Sequence, residues 1–340
     1  MKEFIKLSKA EEERARDVYS KSIVIDASTI VSYEGDTLAK VKKAGITASN
    51  HTVSEVTSNF AEGSREISQC LEWIHRNSKD ALLVESARDI ELAKEKGVFG
   101  VILGPQNSII VENDLQLLPA VHKLGVRIMQ LTYQTRNYVG DGCGEKTDSG
   151  LSLFGVRLIE QMNDYGVVVD LSHCGRNTTN EAIEVSKKPV IFSHTHPYSV
   201  TKHVRNKTDE QIHALAEKGG VMGITEYAPL CERKPGVRPT IIDYLDHVEY
   251  VADLAGVDHV GIGLDIDETS SPERFAEFKR RFPELCANYT FETRRVDGLS
   301  ELTDCPQIAR GLVARGYSDQ EIMKILGGNF MRVFKEVWRE

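Results

Sequence analysis

The sequence predicts an α/β fold, a single (β/α)8 TIM barrel, from three observations. Eight short apolar runs recur along the chain, and helical patterns separate most of them. The runs stay apolar at consecutive positions, where strands of a half-exposed antiparallel sheet would alternate with polar residues. Two neighbouring runs each end on Ser-His and lie one strand–helix repeat apart. Together these features favour a closed parallel barrel over an open sheet.

The eight predicted strands are short and rich in β-branched residues. The runs at 166–171 and 189–192, for example, are too short and too β-branched for buried helices. A polar segment, residues 33–43, separates the first two strands. In chain order the predicted strands cover residues 22–30, 44–53, 98–103, 126–132, 166–171, 189–192, 219–227 and 259–266.

Helical patterns connect most of these strands. Residues 1–21 predict a charged amphipathic helix, and polar capping residues begin another within NTTNEAIEVSKK, between the two Ser-His strands. Residues 300–340 predict two helices packed across the barrel, separated by the Gly stop and Ser N-cap of GYSDQEI. Because no linker or composition shift interrupts the chain, we expect residues 1–340 to form one domain. Further helices are predicted over 61–77, 86–96 and 209–218, and before the stop signal Leu124-Gly125.

Charge and composition argue against several classes of function. The 42 Lys and Arg residues against 51 Asp and Glu residues give a net charge of −9 without long single-sign blocks, so no nucleic-acid partner is expected. No apolar run reaches membrane-spanning length, and the N-terminus lacks an apolar signal core. The six cysteines lack CxxC spacing, which suggests neither a zinc ribbon nor a disulfide framework. We expect a cytoplasmic protein that acts on a small molecule and has no membrane partner. Whether the protein forms a homo-oligomer is left open.

Polar residues at the carboxyl ends of the predicted strands form the candidate site, because ligands bind at that end of parallel barrels. His173 and His194 leave neighbouring strands, so their imidazoles are expected to meet as metal ligands. The alternative is that each is a satisfied histidine packed near the sheet. The other candidates are Asp26, Ser28, Asn50, His51, Gln106, Asn107, Tyr133, Glu226, Asp265 and Asp267.

Two charged residues have more specific predicted roles. Asp265 ends an apolar strand, where a carboxylate is costly to bury without a cation or several donors, so we expect a metal ligand or general base. For Glu226 and Asp267 the favoured interpretation is a solvated loop charge. Arg205 follows the strand that carries His194, and its guanidinium is suited to bidentate binding of a substrate carboxylate. The alternative for Arg205 is a surface salt bridge.

Long stretches of the chain resemble the membrane (renal) dipeptidase family, peptidase family M19 of the amidohydrolase superfamily. The matching stretches are KLGVRIMQLTY, GLSLFGVRLIEQMNDYGVVVDLSH, SHTHP, HVRNKTDEQIHALAEKGGVMGI, HVGIGLDID and ARGYSDQEIMKILGGNFMRVF. The resemblance implies a (β/α)8 barrel and, in typical members, a two-zinc site that hydrolyses dipeptides. It implies that His173 and His194 hold the second metal, that Asp265 is a metal ligand and proton acceptor, and that Arg205 binds the substrate carboxylate.

The remaining site positions depart from the family pattern. Typical members have Asp-Gly-His-Asn-Asp, whose His and second Asp hold the first metal, whereas residues 26–30 read DASTI, with Ser28 and Ile30 at the two ligand positions. The bridging glutamate falls near Gly104, and Tyr133 stands where many members place a carbonyl-polarising histidine. A binuclear cluster without a bridging carboxylate is hard to build, so we expect one divalent ion, zinc by resemblance, or none.

Three polar residues at the strand ends are alternatives that would replace the missing first-metal ligands: His51, Gln106 and Asn107. Each is more simply a substrate contact or a structural loop residue. We predict that Gln106 and Asn107 contact the substrate.

Three functions stay open. The first is a metal-dependent hydrolase of an amide or related bond in a small carboxylate-bearing substrate, with dipeptides implied by the resemblance and Asp265 as proton acceptor. The second is an enzyme of another reaction class that acts on a modified amino acid or small amine without a water-activating metal, with Tyr133 as acid or base. The third is a catalytically silent binding protein, which the gathering of ionisable residues at the rim disfavours.

Overall fold

Ten strands are found in the computed structural model, which describes residues 4–286 and 288–338. The ends of the predicted terminal helices, residues 1–3 and 339–340, lie outside the described residues. The strands are β1 (Ile25–Ile30), β2 (Ala48–His51), β3 (Ala81–Val84), β4 (Phe99–Leu103), β5 (Ile128–Gln130), β6 (Val168–Asp170), β7 (Ile191–Thr195), β8 (Val221–Ile224), β9 (Val260–Ile262) and β10 (Ile266–Asp267).

The strands form a closed parallel barrel from two sheets, ordered β10-β1-β2-β4-β3 and β5-β6-β7-β8-β9. One seam closes because β10, which continues from β9, pairs with β1 through Thr29 and Ile266. At the other seam, Leu103 of β4 bridges Val126, and the Arg127 N–H donates to the Leu103 carbonyl at 3.0 Å. The eight predicted strands and the TIM-barrel fold class are therefore confirmed.

The elements that were not predicted include the strand β3 and the helix α2. The short strand β3 flanks β4, pairing from Ala81 with Phe99 to Val84 with Ile102. Within the polar segment 33–43 the chain forms helix α2, which ends at Gly45 in the left-handed region (φ 71°). Both elements are short, with four residues in β3 and eight in α2, so neither carries a pattern long enough to identify it.

The barrel is surrounded by helices, many of which start at side-chain N-caps. Capping boxes begin at Ser8, Ser86, Thr208 and Ser318. The helices are α1 (Lys9–Lys21), α2 (Thr37–Ala44), α3 (Phe60–Arg76), α4 (Ala87–Lys96), α5 (Leu117–Lys123), α6 (Leu153–Tyr165), α7 (Arg176–Val185), α8 (Asp209–Glu217), α9 (Ala228–Cys231), α10 (Ile241–Ala255), α11 (Pro272–Arg281), α12 (Pro283–Cys286), α13 (Pro306–Ala314), α14 (Asp319–Met323) and α15 (Asn329–Val337).

The C-terminal helices close the amino-terminal end of the barrel. A π-helical turn, Lys324–Gly328, joins α14 to α15. The aromatic side chains Phe330, Phe334 and Trp338 belong to one buried cluster with inward-facing residues of the strands. The indole N–H of Trp338 donates to the Arg127 carbonyl at 3.1 Å. The interior is thus sealed at this end, and ligand access is left to the opposite, carboxyl end.

No helix within the described part of the chain is both long enough and apolar enough to cross a membrane.

Candidate active site

A cavity of about 760 Å³ opens at the carboxyl ends of the strands. The helices α11 and α12 cover it with Phe275, Phe278, Phe282 and Leu285. Nine of the residues chosen from the sequence line this cavity: His51, Gln106, Tyr133, His173, His194, Arg205, Glu226, Asp265 and Asp267.

The two histidines of the Ser-His motifs meet inside the cavity. The Nε2 atoms of His173 and His194 lie 2.8 Å apart, and both rings are at least 96% buried, with exposures of 4% and 1%. They meet because β6 and β7 are adjacent and parallel with Asp170 paired to Ile191, so that His173 and His194 are equivalent residues at one edge of the sheet. Burial, the largest cause, lowers the pKa of His194 to about 3 and holds that of His173 well below its ordinary value. Both imidazoles are therefore neutral near pH 7, the form that binds metals.

A buried chain of hydrogen bonds fixes the tautomer of His194. The Ser193 hydroxyl donates to Asp170 Oδ2 at 2.5 Å, so it accepts from the Nδ1–H of His194 at 2.7 Å. The lone pair of His194 then lies on Nε2, which faces His173. Ser172 completes the network by donating to Asp170 Oδ1 at 2.9 Å. Ser193 thus orients the imidazole of His194, and Ser172 supports this network from Asp170 and from the His194 N–H.

Tyr133 packs directly on the histidine pair. Its ring stacks on that of His173, with centroids 4.1 Å apart and an interplanar angle of 20°. Burial, the largest cause, raises the pKa of Tyr133 above its ordinary value. The phenol therefore keeps its proton near pH 7 and is suited to donating a hydrogen bond.

Asp265 stands in a strained position at the carboxyl end of the barrel. Its backbone has φ 59°, in the left-handed region that side chains other than glycine rarely adopt. Ser28 donates to its Oδ1 at 2.8 Å and Gln106 donates to the same oxygen at 3.1 Å. Burial, the largest cause, raises the pKa of Asp265. Both donors share one oxygen, so Oδ2 stays available to a proton or a ligand.

The first-metal positions of the family pattern are occupied by a hydrogen-bonded cluster. Ser28 and Gln106 bond to one another at 3.0 Å as well as to Asp265. A side chain at Gly104, near the expected bridging carboxylate, would collide with the amide of Asn50. Ser28 and Gln106 are thus engaged with one another and with Asp265.

Both ring nitrogens of His51 are engaged in hydrogen bonds. Its Nδ1 accepts from the Val31 N–H at 3.1 Å, so its Nε2–H donates to the Tyr33 hydroxyl at 2.8 Å. With both ring nitrogens engaged, His51 has no lone pair to offer an ion.

Asp265 does not join the histidine pair in a tight group. Within the described residues, the ligand atoms of His173, His194 and Asp265 do not all lie within 4.8 Å of one another. The three expected metal ligands thus lie in one cavity, but their ligand atoms do not converge on one point. The two imidazoles are the residues here that could hold an ion, in place of the hydrogen bond between their Nε2 atoms.

Arg205 is buried rather than exposed at the surface. It is 3% exposed, lines the cavity and donates to the carbonyls of Ser172 and, at 3.0 Å, His194. No ion pair to Arg205 is found in the described part of the chain, so the surface salt bridge considered as its alternative is not formed. Burial, the largest cause, lowers the pKa of its guanidinium.

Asn107 lies apart from the cavity. Its amide donates to the Val56 carbonyl at 2.7 Å, and its Oδ1 accepts from Asn137 at 2.8 Å. It is not among the residues that line the cavity, in contrast to its neighbour Gln106. These contacts suit the structural loop role that the sequence left open for it.

Sequence reasoning chose Glu226 as a candidate but missed its burial and the two arginines beside it. Glu226, for which a solvated loop charge was expected, is 2% exposed and pairs with Arg295 at 3.5 Å. Its Oε2 has no hydrogen-bond partner in the described structure. Arg294 and Arg295 also line the cavity, with Arg294 3.6 Å above the ring of Phe291. They lie far past the last barrel strand, where no strand-end signal points to them.

Comparison with known sequences gives consistent matches along most of the chain. A family model described as membrane dipeptidase (peptidase family M19) matches residues 12–290 and 285–339. An uncharacterized dipeptidase of Schizosaccharomyces pombe is 34% identical over 66% of this chain and 56% of its own length. Dipeptidase verJ of Clonostachys rogersoniana is 31% identical over 81% of this chain and 66% of its own length. The matched part thus spans roughly half to two thirds of these curated relatives.

A solved structure supports the fold over nearly the whole chain. An amidohydrolase from Pseudomonas aeruginosa superposes with a TM-score of 0.88 and 34% identity, covering 96% of this chain and 99% of that one. The two chains therefore share one fold over the whole barrel described above.

Proposed function

Because the chain belongs to the membrane dipeptidase family, peptidase family M19, we propose that it hydrolyses an amide or related bond in a small, dipeptide-like substrate that carries a carboxylate. The reaction depends on a metal, with at most one divalent ion in the cavity, and zinc is the metal expected. The observation that carries this proposal is the burial of Arg205 without an ion pair to any described residue.

Arg205 brings to the cavity a buried positive charge that forms no direct ion pair within the described residues, and the carboxylate of Asp265 acts on it only at longer range. A buried ion without a counter-charge is costly, and the carbonyls that Arg205 contacts neutralise it only in part. A substrate carboxylate supplies the missing charge and accepts the remaining N–H donors of the guanidinium. Arg205 would thereby select small acids and set the direction in which they lie.

His173 and His194 are the residues that would hold the ion. A divalent metal there supplies a Lewis acid for the scissile carbonyl and lowers the pKa of an attacking water. Asp265 offers its free Oδ2 to take the proton of that water, and the raised pKa of this carboxyl strengthens it as a base. Tyr133, which keeps its proton, donates to the substrate oxygen where the family pattern has a histidine. Gln106 holds Asp265 in place and borders the same space.

The experiment that tests this function compares matched substrates on metal-free and zinc-loaded protein. Dipeptides with a free carboxylate are set against the same dipeptides amidated at that end, and release of amino acid is followed. We expect zinc-dependent cleavage of the acids and at least about tenfold slower cleavage of the amides, since the amides cannot pair with Arg205. Equal cleavage of both would refute the role of Arg205, and no cleavage of either would refute the proposed reaction.

One observation favours the second candidate, a metal-independent enzyme of another reaction class. The direct contact between His173 and His194 and the Ser28–Gln106–Asp265 cluster satisfy most polar groups without an ion. Turnover of a modified amino acid or small amine that persists after exhaustive chelation would support this candidate over a hydrolase.

A further inference from the structure

We propose that His196, Cys231 and His247 form a structural zinc site, separate from the active-site cavity. The three residues come from different elements: His196 directly follows β7, Cys231 ends α9 and His247 lies within α10. None of them lines the cavity. The proposal is independent of the proposed function.

The geometry of the three side chains suits a metal ion. One ring nitrogen of each histidine and Cys231 Sγ all lie within 4.8 Å of one another. Among the residues that the structure describes, this is the one group of at least three His, Cys, Asp or Glu that meets this distance. All three residues are completely buried, and the histidine rings meet edge to face with centroids 4.3 Å apart.

The hydrogen bonds of both histidines leave Nδ1 free to bind an ion. The Nε2–H of His196 donates to the Thr225 carbonyl at 2.8 Å. The Thr201 hydroxyl donates to the Glu232 carbonyl at 2.9 Å, so it accepts from the Nε2–H of His247 at 3.3 Å. Each Nδ1 then carries a lone pair.

Neither Nδ1 has a hydrogen-bond partner among the residues that the structure describes, although both atoms are buried. Buried polar atoms are rarely left without a partner, so two of them beside one cysteine point to a missing ligand. The outer hydrogen bonds to a carbonyl and a hydroxyl are the kind that orient metal-binding histidines.

Two imidazoles and a thiolate are ligands that Zn²⁺ prefers, with the fourth position of a tetrahedron filled by water or a further group. Coordination requires the Cys231 thiol to release its proton to solvent. The ion would cross-link the segment after β7 to α9 and α10. Thr225, which holds His196, precedes Glu226 in the cavity wall, so the site would also stiffen that wall.

Cobalt substitution separates this site from the histidine pair of the cavity, because only this site includes a cysteine. The protein is reconstituted with Co²⁺ as its sole metal, and the near-ultraviolet thiolate-to-cobalt charge-transfer band is recorded together with metal content. We expect the band in the wild type and in the double variant His173→Ala/His194→Ala, which should keep one equivalent of metal. Cys231→Ser should lose the band and one equivalent.

Cys143→Ser is the matched control, because Cys143 lies next to the cavity and its N–H donates to the His173 carbonyl at 2.9 Å. It should keep the band. The proposal is overturned if the wild type shows no band, if the band survives in Cys231→Ser, or if Cys143→Ser abolishes it. Should Cys231→Ser not fold, the double variant decides: a cobalt-loaded double variant without the band overturns the site.

Discussion

At the scale of single residues, the environment of Arg205 gives the strongest indication of the proposed substrate. Its guanidinium reaches the cavity while two backbone carbonyls hold it from behind. The sequence offered a surface salt bridge as the alternative, and burial of the side chain removes that alternative. What the guanidinium binds is then set by its fork of N–H donors, which matches a carboxylate in plane and spacing.

Replacing Arg205 should weaken binding of a carboxylate-bearing ligand. For Arg205→Ala we expect a loss of roughly 1.5–3 kcal/mol, equivalent to about a 10- to 150-fold rise in Kd, because a charge-assisted pair is removed. Arg205→Lys should not restore affinity, since an ammonium cannot form two parallel hydrogen bonds. Calorimetry with a dipeptide or a product amino acid provides the measurement.

The matched control for Arg205 is Arg332. Its guanidinium also donates to two backbone carbonyls, those of Gly219 and Asp258, and it does not line the cavity. Arg332→Lys should leave affinity unchanged. An unchanged Kd in Arg205→Ala would instead show that this residue only supports the backbone.

The histidine pair is predicted to hold the ion of the cavity. His173→Ala and His194→Ala should each lower the bound metal by one equivalent and leave the far-ultraviolet circular dichroism unchanged, because rim residues of a barrel contribute little to its core. Elemental analysis of the purified variants measures this loss. His51→Ala serves as the control, since both nitrogens of His51 are engaged and the metal should stay. Full metal content in either His173 or His194 variant would reject the assignment.

At the scale of elements, the closing seam of the barrel depends on one buried carboxyl. Asp26 of β1 accepts from the Leu264 N–H at 2.7 Å and from the Thr29 hydroxyl at 3.1 Å. The first contact ties β1 to the segment between β9 and β10, next to Asp265. The side chain is completely buried, and burial, the largest cause, raises its pKa to about 7.

This raised pKa predicts how stability changes with pH. The folded state holds the Asp26 proton more tightly than the unfolded chain, whose pKa is near 3.8. The contribution of Asp26 to the free energy of unfolding is therefore fully present below about pH 4 and falls as pH rises to about 7, by up to about 4 kcal/mol. Asp26→Asn does not titrate, so its stability relative to wild type should increase between pH 4 and pH 7. Urea unfolding across this range tests it, and a pH-independent difference would contradict it.

At the scale of the whole molecule, the proposed loss of the first-metal ligands predicts slow turnover of ordinary dipeptides. Losing a single electrostatic stabiliser typically costs ~10²-fold in rate, and here the positions of the first-metal ligands carry Ser28 and Ile30. For a panel of L,L and L,D dipeptides we expect kcat at least ~10²-fold below the ~10 per second that is typical of enzymes. Amino-acid release at saturating substrate measures it. Rates near ~10 per second would show that other residues replace the missing ligands.

Local sequence patterns determined most of the fold and the centre of the site. Eight apolar runs became the barrel strands, and the Ser N-cap of GYSDQEI begins a helix at Ser318, after Gly316 with φ 81°. These features depend on neighbours a few residues apart, so the chain encodes them directly. The pairing of His173 and His194 followed from the same logic, because adjacent parallel strands must end at one edge.

Tertiary structure alone decided what surrounds that pair. Contacts between distant segments separate Asp265 from the histidines, bury Arg205 and place α11 and α12 over the cavity. The meeting of His196, Cys231 and His247 also depends on such contacts, because the three residues come from different parts of the chain and share no motif. Such contacts follow from how helices and loops pack around a closed barrel, and no local spacing in the sequence specifies that packing.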